Sequence, residues 1–93
     1  MQYDDLIRDA RNETLMASTR LHAAFDAIYL CCQPAATLDE TLETLDVNRA
    51  DTALVIDLRN WVQNVAPMGP LPMPPSEAVA LAERVHKANG ARG

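Results

Sequence analysis

Aromatic residues make up only 4% of this 93-residue chain: one Trp, two Tyr and one Phe. Sheet-on-sheet cores draw on aromatic and β-branched side chains, so the scarcity counts against a β-sandwich. Only three glycines occur, two of them at the tail, and a Gly-rich phosphate loop is excluded. The two cysteines, Cys31 and Cys32, are neighbours. Adjacent thiols make no disulfide framework, and on a helix they diverge by about 100°, so they do not converge on one metal ion. No Cys-x-x-Cys and no Gly-x-Ser-x-Gly is present. No apolar run approaches the ~20 residues that span a bilayer, and the acidic N-terminal stretch lacks a signal core. The expectations are a cytoplasmic protein with no membrane contact, no metal and no cofactor.

What is present is aliphatic. Hydrophobic residues reach 48%, rich in Ala and Leu, which rules out disorder as the main state. Small and aliphatic side chains suit helix-on-helix packing. Ninety-three residues make one domain, spanning 1–93. A chain this short buries only about 60–65% of its unfolded surface, so its helices must pack well or its subunits associate. The net charge is −5. Such a surface repels phosphate backbones and argues against non-specific nucleic-acid binding.

Residues 3–32 hold neither Pro nor Gly. Tyr3, Ile7, Ala10, Thr14, Ala17, Leu21, Ala24, Ile28 and Cys31 recur at 4-3-4-3 spacing, the signature of a helical stripe. A second stripe, Leu15, Ser18, His22, Phe25, Tyr29 and Cys32, joins it in the C-terminal half, which predicts burial on most sides there. His22 reads as a hydrogen-bonded core histidine. A continuous helix would be about 45 Å long. Either it breaks near Ser18-Thr19, or it overhangs and meets a partner subunit. In the second case Ile7, Ala10, Thr14, Ala17 and Leu21 form a dimer seam; in the first they are core.

Pro34 closes this segment. Thr37 and Glu40 then form a capping box for a short helix with Leu38, Leu42 and Leu45 inward. Asn48 with Asp51 opens a third helix in the same way, its apolar face Leu54, Leu58, Trp61, Val62 and Val65. Residues 67–75 carry five prolines in nine and predict a stiff crossover. Ser76 caps a last helix with Ala78, Leu81, Ala82, Val85 and Ala88 inward, and Asn89-Gly90 stops it. The expected fold is all-α, an antiparallel four-helix bundle with a long first helix that is either broken or overhanging.

Two stretches carry a family resemblance. Ser18–Tyr29, rich in small residues, resembles the second half of the opening helical hairpin of HEPN domains. Asp57-Leu58-Arg59-Asn60, leading on to a C-terminal helix at Ser76-Glu77-Ala78, is similar to the part of those domains that carries an Arg-polar-x-x-x-His signature. The likeness covers roughly residues 4–88, although no obvious loop divides the first segment in two. In the nuclease members, the resemblance implies, Arg and His from two subunits meet at a dimer interface and act on an RNA 2′-hydroxyl and the adjacent phosphate. By position Arg59 matches the Arg and Asn60 the polar residue, but Asn64 stands where the His belongs. An amide has no usable pKa and moves no proton. Losing general acid–base help typically costs about 10²–10⁴ in rate.

Arg59, Asn60 and Asn64 are therefore expected to form a polar site or dimer seam, with no catalytic residue among them. The resemblance implies a homodimer that binds a protein partner, such as the nucleotidyltransferases paired with some members. Two rivals stand beside this reading. One is a weak or altered RNase centred on Arg59, with His22 or His86 as base. The other is an unrelated structural four-helix protein.

Overall fold

A stretch of nine residues, Tyr3–Arg11, forms the first helix, α1. Asp4 and Asp5 lie in its first turn, and Arg8 and Arg11 in its last, so both ends complement the helix dipole. The computed structural model describes residues 2–31, 47–63 and 71–92. Within them the chain is all-α: α1 is followed by α2 (Ala17–Cys31), α3 (Arg49–Val62) and α4 (Pro75–Arg92), with no strand among the described residues. The helix expected at Leu38–Leu45 lies outside the described residues, as do Cys32, Asn64, Val65 and Pro67.

The long opening segment is broken, at Asn12–Met16 and not at Ser18-Thr19. Asn12 ends α1 by donating its backbone N–H to the Asp9 carbonyl. Its side-chain oxygen then accepts from the Thr14 backbone N–H at 3.0 Å and from the Thr14 hydroxyl at 2.6 Å. This local turn competes with helix and wins, because a short amide side chain can mimic a backbone acceptor. The turn folds α1 back on α2. Arg20, at the start of α2, donates from Nε to the Ala10 carbonyl at 2.8 Å. That bond satisfies one of the carbonyls left open at the end of α1 and places a cation where the dipole favours it. The longest dimension of the molecule is 34 Å, shorter than a continuous 45 Å helix would require.

The 4-3 stripe survives the break because both halves point at one core. Ile7 and Ala10 from α1, and Leu21, Ala24, Ile28 and Cys31 from α2, are buried together. Helix α2 is the central element and packs against α1, α3 and α4. It buries Ala23, Phe25 and Ala27 as well, so it is apolar on most sides.

Asn48 caps α3 by accepting from the Ala50 backbone N–H at 2.7 Å. Asp51 does not complete a capping box: Arg84 of α4 holds its carboxylate. Val55 and Leu58 are the interior residues of α3, with Leu54, Trp61 and Val62 packed half-buried around them. Helix α4 starts one residue before Ser76. Its first turn is closed on the Pro74 carbonyl by the N–H groups of Glu77 and Ala78, and Pro75 takes the first position, where no N–H is needed. Ala78, Leu81, Ala82 and Val85 are fully buried. The helix continues through Asn89-Gly90 to Arg92. A glycine stops a helix only if the backbone turns left-handed there; otherwise it is carried at about 1 kcal/mol relative to Ala. Just before α4, Met73 sits between two prolines and is buried in the core.

Candidate functional site

Arg59 and Asn60 occupy the last turn of α3. Leu58 beside them is fully buried and fixes the rotation of the helix. At about 100° per residue, Arg59 falls on one flank and Asn60 on the outer side. Arg59 is accordingly half-buried and Asn60 exposed. Asn64, the third member of the expected constellation, lies outside the described residues.

Trp61 falls on the flank opposite Arg59, about 160° away around the axis. There it meets His22 of α2, with ring centroids 4.9 Å apart and planes tilted by 52°. His22 is exposed and not the core histidine that its stripe predicted. Helix α2 keeps Leu21, Ala24 and Ile28 inward, as the first stripe predicts, but its second buried flank runs through Ala23 and Ala27. His22, on the other flank, reaches the rim, where the Trp61 indole lies tilted against its ring. The indole N–H of Trp61 is buried with no hydrogen-bond acceptor among the described residues.

His86 goes elsewhere. Its ring stacks on Tyr3 of α1, centroids 3.8 Å apart and planes within 12° of parallel. The structure thus takes each histidine to an aromatic partner. His22 meets α3 on the flank away from Arg59, and His86 lies on the side of α4 that meets α1.

The residues of the 4-3 stripe differ in exposure. Ile7, Ala10 and Leu21 are interior, Ala17 is half-buried, and Thr14 is exposed in the turn. Their stripe packs the chain against itself, because the turn folds one half of it onto the other. Exposed apolar surface lies elsewhere, at Met16 in the turn and at Tyr29, Leu30 and Leu71. Tyr29 is also 6.3 Å from Phe25, centroid to centroid.

Two groups have shifted acidity. Burial pushes the Tyr3 phenol above its ordinary value; the nearby Cys31 and Asp4 add to this, and Arg11 opposes it. Burial likewise pushes the Cys31 thiol up, which makes it an inert thiol and not a nucleophile. No group of three metal-ligating side chains occurs among the described residues. An open depression on α1 is lined by Asp4, Ile7, Arg8, Arg11 and Asn12, but Arg8 is paired with Asp5 and Arg11 with Glu83. No helix among the described residues is long and apolar enough to cross a membrane.

The Tyr3–His86 and His22–Trp61 pairings were not readable in advance. Each joins residues far apart in the chain, and only the helix rotations bring the rings together. Compared with protein-family models, with curated proteins and with solved structures, the chain matches none.

Proposed function

We propose that this chain is a HEPN-like helical module that works as a homodimer holding a protein partner, and not by catalysis. The placement of the two histidines carries the reading. A cleavage site built on Arg59 needs a proton carrier within hydrogen-bond reach, about 2.6–3.2 Å or one water away. His22 lies against Trp61 on the far flank of α3, and His86 lies against Tyr3. Asn60, exposed on the outer side of α3, is then suited to polar contact with a protein surface. The division of the opening segment by Asn12–Met16 adds support, since the resemblance calls for a helical hairpin there.

The subunit contact must use a surface other than the 4-3 stripe. Tyr29 and Leu30 are consecutive, 45% and 36% exposed, near the end of α2. Asn60 offers a polar patch on α3. Light scattering of the purified chain at micromolar concentration should return twice the chain mass. Tyr29→Ser with Leu30→Ser should shift it to monomer with helical circular dichroism intact. A clean monomer for the unmodified chain would sink the dimer. RNA cleavage that disappears with Arg59→Ala would replace the interaction reading by the enzymatic one.

A further inference from the structure

Helix α1 is too short to persist alone, since isolated helices below about 12–15 residues are marginal in water. Its position therefore depends on what fastens it. The Asn12 end is secured several times over: by the turn bonds to Thr14, by the Arg20 bond to the Ala10 carbonyl, and by the ion pair of Arg11 with Glu83. The Tyr3 end is held by the ring stack on His86 and by burial of Leu6 and Ile7 behind it. At that end the phenol hydroxyl of Tyr3 is buried and has no hydrogen-bond partner among the described residues.

We propose that α1 is a strap, hinged at Asn12–Met16 and poised to lift from α2 and α4 at its Tyr3 end. The docked state strips water from a hydroxyl and returns no hydrogen bond from the described residues, whereas lifting rehydrates it. An unpaired buried hydroxyl opposes docking, and the His86 stack favours it. Burial also pushes the pKa of the Tyr3 phenol above its ordinary value, as the same desolvation requires. Lifting exposes Leu6 and Ile7 together with the apolar surface of α2 and α4 beneath them, while Ala10 and Arg11 stay fastened beside the hinge. The inference does not depend on the proposed function.

Amide hydrogen exchange on the whole chain tests it, followed residue by residue at neutral pH. The amides of α1 should exchange through an opening that the interior of α2 and α4 does not share. Tyr3→Phe keeps the ring and removes the hydroxyl, and should slow exchange in α1 by roughly tenfold while leaving α2 and α4 unchanged. His86→Ala removes the stack and should speed α1 exchange several-fold, again selectively. If α1 exchanges in step with the α2 core, or if Tyr3→Phe speeds its exchange, the strap is overturned. Tyr3→Phe decides the matter alone if His86→Ala does not fold.

Discussion

Arg84 holds Asp51 with two arms: Nε lies 2.8 Å from one carboxylate oxygen, and a terminal guanidinium nitrogen 3.0 Å from the other. The pair fastens the middle of α4 to the first turn of α3, 33 residues earlier in the chain. Bidentate geometry makes this stronger than an ordinary surface pair, but the Arg84 side chain is about half exposed and screened by solvent. Arg84→Ala and Asp51→Asn should each destabilise the fold by about 0.5–1 kcal/mol, and their effects should not add. A double-mutant cycle by urea unfolding measures the coupling, which should shrink in high salt.

Leu21 and Leu58 are fully enclosed, at the meeting of α2 with its neighbours and in the middle of α3. Truncating either to Ala should cost about 2–5 kcal/mol, from lost burial and the cavity left behind. A chain of this size has about 5–14 kcal/mol in all, so the loss should be evident as a lowered thermal midpoint.

The Asn48 cap predicts a contrast within one helix. Asn48→Ala removes the acceptor for the Ala50 N–H and should cost about 1 kcal/mol. Asn60→Ala, on the exposed side of α3, should stay within ~0.5 kcal/mol. Equal effects in thermal unfolding would show that the cap is not formed in solution.

Alkaline pH should loosen the fold. Tyr3 and Cys31 are both raised above their ordinary values of 10.0 and 9.0, chiefly by burial. Below about pH 9 both groups are neutral whether the chain is folded or unfolded, and they leave stability unchanged. As pH rises past those values the unfolded chain releases their protons more readily than the folded one, so unfolding is favoured. Denaturant midpoints should fall from about pH 9 upward. Cys31→Ala should flatten the lower part of the decline and Tyr3→Phe the upper part.

The sequence was most legible where one helix face meets one core. Ala78, Leu81, Ala82 and Val85 follow the helical period, and all four are fully buried. Asn48 was readable as a cap because capping is local chemistry. The turn at Asn12 was local too, yet the heptad stripe hid it. A hairpin that folds a stripe onto itself keeps the same spacing on both sides of the bend, so periodicity cannot register the bend. His22 is exposed for another reason: the second buried flank of α2 runs through Ala23 and Ala27, on the other side of Leu21 and Ala24 from the expected second stripe. Val55 lies inward where the sequence period points to Leu54, its neighbour at the edge of the same face. Of the candidate site, the position of Arg59 and Asn60 on a helix was legible. The rotation that half-buries one and exposes the other is set by the packing of Leu58.

The segment around Met73 reads in the sequence as a stiff crossover, a run of prolines between two helices. Its buried methionine makes it a register pin, because Pro74, whose carbonyl accepts the first N–H groups of α4, directly follows the Met73 side chain in the core. Adding or deleting a residue there would pull the side chain out or rotate α4 by about 100°. A label is better carried on Glu13, whose side chain stands in water in the turn between α1 and α2, than anywhere in this segment.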